Sequence, residues 1–261
     1  LPNKFYVVFA STIAPILTNI FNTARDLQQL PPEMLEGIIS VMYKKKDRKD
    51  PRNYRPITLL NSDYKILMRA LTARMNEAAV QFVSAPQNGF VPDSFIGENT
   101  MLLKLIQAYV DEQDGILPEG SPAMFLFADM EKAFDRASWS FMDEALDRIG
   151  LSDFRDYFRL AYSQDNAPKR RVYVNGYLSD SFTINSGVAQ GCPLSPLLFL
   201  LVTEVITRLI TKDTQYTGVV IEGIAHKISQ FADDSVFIMR PGDELRLRIH
   251  LRTWELATGM L

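Results

Sequence analysis

The order of predicted helices and strands indicates an α+β fold with an antiparallel sheet. Helical and strand segments follow one another without the regular strand–helix alternation that a doubly wound parallel sheet requires. Between two strand-like runs stands Asn175-Gly176, which is the strongest short signal for a tight hairpin. Hydrophobic residues make up 47% of the 261 residues, which is enough to bury a sizeable core divided between two subdomains.

Helical periodicity, strand composition and turn residues define the elements of the first half of the chain. Pro31 and Pro32 end the first helix, and Ser62 or Asp63 can cap the second. The expected elements are a helix over 13–30, strands over 35–43 and 55–60, a helix from 62, a break at 84–86, a helix over 98–112 and a loop over 115–122. The side chains expected to face inward from the helix over 98–112 are Leu102, Leu103, Leu105, Ile106 and Tyr109.

The second half of the chain mixes helices with hairpins. Residues 123–128 are apolar and aromatic, so we expect a buried strand that delivers Asp129 at its end. Ser138 is expected to cap a helix that Gly150 stops. The remaining expected elements are a helix over 152–163, strands over 170–174 and 177–184, a loop over 186–196, a buried apolar helix over 196–210, strands over 219–221, 226–231 and 235–239, and a helix from 243.

The composition restricts the metal chemistry of the chain. Cys192 is the only cysteine, and the two histidines, His226 and His250, lack zinc-type spacing, so a disulfide framework and a cysteine-based zinc site are excluded. A bound metal would therefore need oxygen ligands. No apolar run reaches transmembrane length, and we expect no membrane partner. The chain begins without Met and stops within a predicted helix, so we expect it to be a piece of a longer protein.

A basic segment contrasts with the formal net charge of −3. Residues 44–55 carry seven basic and two acidic side chains, a net charge of about +5. The basic residues are Lys44, Lys45, Lys46, Arg48, Lys49, Arg52 and Arg55. Such a patch can bind phosphates although the rest of the chain is acidic. Taken alone, the run is more typical of a solvated loop than of a phosphate-binding site.

Three aspartates follow apolar strands and are candidate metal ligands. Asp129 ends one predicted strand, and Asp233 and Asp234 lie at the tip of a predicted hairpin. Carboxylates that repel one another are tolerated where cations compensate, and Mg²⁺ prefers a few carboxylates completed by water and substrate phosphates. Two such ions can activate a hydroxyl nucleophile and stabilise a leaving pyrophosphate. An Asp pair in a turn is also ordinary on its own, because Asp favours turns.

The loop over 186–196 is the most specific stretch of the sequence. Gly187 and Gly191 allow the backbone to approach a ligand closely, and Gln190 can donate and accept hydrogen bonds beside it. Pro196 stands near the start of a helix, whose free N–H groups favour phosphate. The alternative is a loop that serves only as the entry to the helix.

Taken together, these motifs resemble the reverse transcriptases of non-long-terminal-repeat (LINE-type) retrotransposons. The matching segments occur in the family's order across residues 38–240. They are Tyr54-Arg55-Pro56-Ile57, Gln87-Asn88-Gly89-Phe90, the run from Phe127 to Asp135, the run from Gly187 to Phe199, and Phe231-Ala232-Asp233-Asp234.

The resemblance implies roles for particular residues. Asp129, Asp233 and Asp234 would be catalytic ligands of two Mg²⁺ ions, with Mn²⁺ as a substitute and the Met130 carbonyl as an additional ligand. Phe134 would lie under the sugar of the incoming nucleotide and exclude a 2′-hydroxyl, unless it is simply a core aromatic. The implied nucleotide-binding residues are Arg55, Lys44, Lys46, Phe134, Gln190 and Gly191. Gln87 to Phe90 would contact the template or pack the fingers, and the sequence does not decide between these.

The resemblance also implies a right-hand polymerase fold. The fingers would comprise residues 30–95 and 138–194, and the palm residues 96–137 and 195–261, with a small antiparallel sheet backed by helices. Residues 1–29 would form a helical extension. The family continues into a lysine-bearing segment and a thumb that we do not find in this sequence, and no endonuclease domain is present, so we expect the isolated chain to be poorly active.

The function implied is RNA-directed DNA synthesis that copies a retroelement transcript, with an RNA template, a DNA primer and dNTPs as partners. One alternative is another right-hand polymerase, such as a group II intron reverse transcriptase. The other is an inactive, nucleic-acid-binding remnant of a retroelement. The sequence does not reveal the oligomeric state, or whether the protein acts in the nucleus or the cytoplasm.

Overall fold

The computed structural model describes residues 3–112 and 122–260, and its mixture of helices and strands confirms the predicted α+β class. The predicted loop over 115–122 lies outside the described residues except for Pro122. The helices are α1 Asn3–Val8, α2 Ala10–Leu27, α3 Ser62–Phe82, α4 Ile96–Glu112, α5 Ala133–Arg136, α6 Trp139–Arg148, α7 Ser152–Ala161, α8 Ser195–Lys212 and α9 Asp243–Thr258.

The strands pair into three separate sheets in the described residues. They are β1 Gly37–Tyr43, β2 Tyr54–Leu60, β3 Met124–Ala128, β4 Lys169–Val174, β5 Tyr177–Leu178, β6 Phe182–Thr183, β7 Val219–Ile221, β8 Ile224–His226, β9 Ile228–Phe231 and β10 Asp234–Met239. One sheet has the order β2-β1-β4-β5 with β6 paired to β4, another has the order β3-β10-β9, and β7 pairs with β8.

The chain divides into two compact units. The first unit combines Leu1–Arg74 with Ser138–Ser195, and the second combines Met75–Ala137 with Pro196–Leu261. Residues 75–95, which the sequence assigned to the fingers, cluster with the second unit. The assignment of fingers and palm to stretches of this chain stays a prediction.

The sheet of the first unit is not wholly antiparallel. The predicted hairpin of β1 and β2 is present, and β4 and β5 form the hairpin around Asn175-Gly176, where both residues have positive φ, of 50° and 87°. However, β1 and β4 pair in parallel, with Ile38 opposite Arg171. The long connection between these strands, which includes helices, makes parallel pairing possible, and periodicity along a single strand carries no information about it.

In the second unit the strands β3, β10 and β9 pair antiparallel, and α4 packs against the sheets. Ile106 on α4 is fully buried together with Val219 and Ile238, and Leu102, Leu103 and Tyr109 pack against this cluster. Leu105, which the sequence placed inward, is 58% exposed because it is turned about 100° around α4 from the buried Ile106. The predicted buried helix is confirmed as α8, in which Thr203 and Thr207 are fully buried.

Strand β3 is less buried than the sequence indicated. Among the described residues it pairs only with β10, so it lies at the edge of its sheet. Leu126 is 42% exposed and Phe127 is 72% exposed, whereas Phe125 packs against the core cluster. An apolar run of this length is typical of a central strand, which is why the edge position was not predicted.

The two predicted helix caps differ in their positions in the structure. The structure begins α3 at Ser62, so Ser62 and Asp63 lie inside its first turn and not before it. Ser138 caps α6 as predicted, accepting a hydrogen bond from the Phe141 N–H at 3.3 Å. No helix in the described part of the chain combines the length and apolar character that crossing a lipid bilayer requires.

An ion-pair cluster connects the end of α8 to α9. The carboxylate of Asp213 accepts hydrogen bonds from Arg246 at 2.8 Å, from His250 at 2.6 Å and from the Gln215 backbone N–H at 2.8 Å. Burial favours the neutral acid, but the hydrogen bonds from His250, Gln215 and Arg246 outweigh it and lower the pKa of Asp213 well below its ordinary value.

We expect Asp213→Asn to destabilise the second unit in a pH-dependent way. Because the folded-state pKa is depressed, the stabilisation is present above the unfolded pKa of roughly 3.9 and is lost as the pH falls below it. The variant should lose about 1–3 kcal/mol of unfolding free energy at pH 7, as expected for hydrogen bonds to charged groups. Urea unfolding at several pH values measures this. The difference from wild type should shrink as the pH falls from about 5 toward the depressed folded-state pKa of Asp213. Glu77→Gln, at an exposed position of α3, serves as the control. A difference independent of pH would contradict the prediction.

Candidate metal centre

The turn between β9 and β10 carries two of the candidate ligands. Phe231 pairs with Asp234, so Ala232 and Asp233 are the two central residues of a tight turn. Ala232 is buried and has a φ of 57°, in the left-handed region that residues with a side chain rarely adopt. Asp233 is half-buried and Asp234 is exposed. The tightness of the turn therefore sets the directions of two neighbouring carboxylates.

Asp129 comes to the same end of the sheet from β3. The antiparallel register of β3 and β10 pairs Ala128 with Ser235. Continued by one residue, this register sets Asp129 beside Asp234, where directly opposite residues have Cβ atoms roughly 5 Å apart. Asp129 is exposed. The sheet thus brings the three aspartates to one edge.

The three carboxylates offer the ligand chemistry of a hard divalent cation. Within residues 3–112 and 122–260, no group of three or more acidic, histidine or cysteine side chains is arranged so that it could hold a metal ion. Carboxylates are nevertheless ligands that Mg²⁺ uses, in combination with waters and substrate phosphates. Met130, whose carbonyl is a further predicted ligand, is half-buried directly after Asp129.

Phe134, which follows Asp129 in the chain, lies in an aromatic cluster. It belongs to α5, and its ring stacks on that of the buried Phe199 at a centroid distance of 5.0 Å and an interplanar angle of 15°. The ring of Phe90 meets it edge-on at 6.5 Å. Phe134 itself is half-buried. Its ring is therefore held by core packing while part of it stays accessible, which suits either of the roles considered for it.

A segment for which the sequence left template contact and packing of the fingers open lies against the turn. We call Ser84 to Phe90 the strap. Its backbone pairs with β9: the Gln230 N–H donates to the Pro86 carbonyl at 2.8 Å, and the Asn88 N–H donates to the Gln230 carbonyl at 3.0 Å. Residues 86–88 therefore extend the sheet beyond β9 in parallel. Gln87 is only 2% exposed, so its side chain belongs to the interior of the second unit.

A buried amide network fastens the strap to β9. Asn99 of α4 donates to Ser229 Oγ at 2.8 Å and to the Gln230 carbonyl at 2.9 Å. The side chain of Asn88 donates to Asn99 Oδ1 at 3.1 Å. Gln230 Nε2 donates to Ser235 Oγ at 3.0 Å, and its Oε1 accepts from Thr207. These polar groups are satisfied only when strap, α4, α8 and hairpin are all in place.

Gly89 allows the strap to reach the turn. A Cβ atom at this position would lie 2.0 Å from the backbone nitrogen of Ala232 and 2.8 Å from its Cα. The sequence signals at this contact were the break at 84–86 and the motif Gln87-Asn88-Gly89-Phe90 that follows it. Neither feature identifies a partner more than a hundred residues away.

The predicted nucleotide-binding loop is held by the first unit. The Thr58 N–H donates to the Gln190 carbonyl at 2.7 Å, and Trp139 Nε1 donates to the Gly187 carbonyl at 2.7 Å. Gly191 has a φ of 120°, and a Cβ atom there would lie 2.5 Å from the Thr58 carbonyl oxygen. Gly191 therefore admits the backbone of β2, and it is itself exposed.

The basic hairpin of the first unit has an ordered loop. The hydroxyl of Tyr43 donates to the Lys46 carbonyl at 2.7 Å, and that of Tyr54 donates to the Arg48 carbonyl at 2.9 Å. Lys44, Lys46 and Arg55 are exposed. Arg55 lies opposite Met42 in the ladder. The predicted phosphate-binding side chains are thus accessible on a stable scaffold.

Comparison with known proteins identifies the class of protein. The family described as "Reverse transcriptase (RNA-dependent DNA polymerase)" matches residues 43–256, and the chain belongs to this family. The family generally uses divalent metals.

Relatives belong to non-long-terminal-repeat retrotransposons, which confirms the predicted resemblance. The "Transposon TX1 uncharacterized 149 kDa protein" of Xenopus laevis is 27% identical over 238 residues, covering 90% of this chain and 17% of that protein. The "Probable RNA-directed DNA polymerase from transposon X-element" of Drosophila melanogaster is 28% identical over 188 residues, covering 71% and 20%. The chain thus spans about a fifth of the length of these relatives.

A solved telomerase shares the fold. The telomerase of Candida tropicalis, in complex with a fragment of telomeric RNA, aligns with a TM-score of 0.57 and 12% identity over 89% of this chain and 40% of that chain. At this identity the likeness concerns the fold alone, and it confirms the predicted right-hand polymerase fold.

Proposed function

We propose that this chain is the catalytic core of an RNA-directed DNA polymerase that copies the transcript of a retroelement into DNA. The observation that carries the proposal is the convergence of Asp129, Asp233 and Asp234 at one edge of the sheet in a chain of the reverse transcriptase family. Its partners would be an RNA template, a DNA primer and dNTPs.

In this proposal the three carboxylates, with the Met130 carbonyl, would hold two Mg²⁺ ions, which Mn²⁺ could replace. When bound, such ions supply activation of the primer hydroxyl and neutralisation of charge on the phosphates. The carboxylates would bind the ions and so orient the phosphates. The accessible basic side chains Lys44, Lys46 and Arg55 would bind the triphosphate. Gln190 and Gly191 would line the incoming nucleotide. Phosphoryl transfer needs mainly this positioning and charge neutralisation.

The proposal is tested by primer extension on an RNA template with dNTPs or rNTPs. The assay uses the native-length protein, by which we mean the product of the complete reading frame that contains this chain. We expect extension with dNTPs. Robust incorporation of rNTPs would contradict the proposal of a DNA polymerase. Template binding without any extension would instead favour an inactive remnant.

Replacing Phe134 by valine should relax the discrimination against rNTPs. The ring is fixed by stacking on Phe199 and is partly accessible, so removing it opens space for a 2′-hydroxyl. We expect the ratio of kcat/KM for rNTP over dNTP to rise about tenfold or more, equivalent to about 1.4 kcal/mol.

Steady-state kinetics with both nucleotides measure this ratio. Phe95→Val, at a position 63% exposed, is the control and should not change it. If Phe134 were only a core aromatic, its replacement would lower Tm and slow both nucleotides alike, with no change in the ratio.

A further inference from the structure

The side-chain amide of Gln87 is bound on both sides by the turn that carries the candidate ligands. Its Oε1 accepts from the Ala232 N–H at 2.9 Å, and its Nε2 donates to the Ala232 carbonyl at 3.2 Å. Oε1 also accepts from the Gly89 N–H at 2.8 Å, and Nε2 donates to Thr203 Oγ1 at 3.5 Å. The amide thus uses its two donors and its two main acceptor positions, and it pairs with Ala232 as a neighbouring strand would.

The backbone that this amide holds is in an unfavourable conformation. For a residue with a Cβ atom, the left-handed region costs roughly 1–2 kcal/mol, and glycine would adopt it freely. Position 232 is alanine with a φ of 57°. The two hydrogen bonds from Gln87 satisfy both polar groups of this peptide segment in a buried place, where leaving either unpaired costs about 1–3 kcal/mol. The conformation therefore depends on support from outside the hairpin.

Gln87 is itself held in place. Glu204 of α8 accepts hydrogen bonds from the Ser84 N–H at 2.9 Å and from the Ser84 hydroxyl. Arg208 donates to Glu204 at 2.6 Å and to the Phe82 carbonyl at 2.7 Å. These contacts fix the start of the strap, and the pairing with β9 fixes residues 86–88. An amide on so rigid a support can impose a conformation on the turn.

We propose that Gln87 is a positioning residue for the metal centre: by holding Ala232 in the left-handed conformation, it orients Asp233 and Asp234 toward a shared divalent cation. The inference rests on the proposed function for the identity of the ligands. Without the amide, the turn would populate other conformations, and metal binding would have to reorder it.

The first test is metal binding by the chain itself, without polymerisation. Mn²⁺ is titrated into the wild-type chain and the Gln87→Met variant, with free Mn²⁺ measured by electron paramagnetic resonance. Methionine keeps the length and removes the hydrogen bonds. We expect the apparent Kd to rise about tenfold, as is usual when a group that orients a metal ligand is removed. Gln107→Met is the matched control, because Gln107 is exposed on α4 and donates to Asp111 of the same helix, and it should leave Kd unchanged.

The second test separates positioning from general damage by rescue. Ala232→Gly removes the cost of positive φ, so the amide is needed less. We expect Gln87→Met to raise Kd about tenfold in the wild-type background but less than about threefold in the Ala232→Gly background. Equal effects in both backgrounds, or no effect of Gln87→Met in either, would overturn the proposal.

If Gln87→Met is too unstable to titrate with Mn²⁺, the single variant Gln87→Met and the double variant with Ala232→Gly are compared by urea unfolding. Ala232→Gly should then raise the unfolding midpoint of the double variant above that of the single one, and a lower or equal midpoint would overturn the inference.

The outcomes distinguish this inference from the proposed function. If Gln87→Met weakens Mn²⁺ binding and Ala232→Gly restores it, but the native-length protein fails to extend primers, the positioning role is upheld and the proposed polymerase function is contradicted. Primer extension with an unchanged Mg²⁺ requirement in Gln87→Met would do the reverse. If the wild-type chain bound no Mn²⁺ at millimolar concentration, the positioning role would be overturned whatever the activity of the native-length protein.

Discussion

Replacing Asp233 by asparagine is expected to abolish primer extension by the native-length protein while leaving template binding largely intact. Asp233 occupies the centre of the tight turn, beside Asp234 and near the end of β3. Asparagine keeps the shape of the side chain and its turn preference, so the hairpin should still form. It removes the negative charge that a hard cation requires, and we expect a loss of about 10³-fold or more, equivalent to about 4 kcal/mol of transition-state stabilisation.

Single-turnover extension and equilibrium binding of a labelled RNA template measure the two halves of this prediction. Asp165→Asn makes the same chemical change at an exposed position of the first unit and should retain activity. Extension by the Asp233→Asn variant at a near wild-type rate would show that the assignment of the metal ligands is wrong. Loss of template binding together with extension would point to misfolding, which circular dichroism would detect.

Replacing Gly89 by alanine is expected to damage both stability and metal binding. The added Cβ atom would lie 2.0 Å from the Ala232 nitrogen and 2.8 Å from the Phe231 carbonyl carbon. These are backbone atoms of the turn and cannot rotate away, so either the strap or the turn must shift. We expect a loss of about 3 kcal/mol in unfolding free energy, at the upper end for overpacking. A displacement near 1 Å at the ligands would lower the extension rate by about 10²-fold.

Gly97→Ala is the matched control for this change. The three atoms nearest to its Cβ atom would all belong to the ring of Phe95, which is 63% exposed and free to move, and position 97 lies in α4, where alanine is favoured. Urea unfolding and Mn²⁺ titration should therefore show little effect in Gly97→Ala and a large effect in Gly89→Ala. Similar behaviour of the two variants would refute the contact between strap and turn.

The sequence was sufficient for those elements whose signals are local. The periodicity of α4 and α8 and the Asn175-Gly176 turn each depend on residues close together in the chain, and they were predicted. The edge position of β3 and the exposure of Leu105 were not predicted, because they depend on which other elements pack against β3 and α4. The parallel pairing of β1 with β4 is non-local in the same way.

The residues of the candidate site likewise differ in whether local sequence signals predict them. The three aspartates could be proposed because each follows an apolar strand and belongs to a recognisable motif. For Gln87 the sequence left template contact and packing of the fingers open, because its partner Ala232 is 145 residues away in the sequence and its contacts depend on the backbone of that partner. A polar side chain within a motif suggests a group that binds a ligand. The amide of Gln87 instead binds the backbone of Ala232 in the same chain.

The strap also has a consequence for synthesis on the ribosome. Gln87 emerges 145 residues before Ala232, an interval of roughly 7–30 s at ordinary translation rates. During that time the amides of the strap have no β9 to pair with, and the turn cannot take its final form until the hairpin follows. The metal centre is therefore among the last features of the second unit to be completed, and nascent chains that stop before β10 cannot contain it.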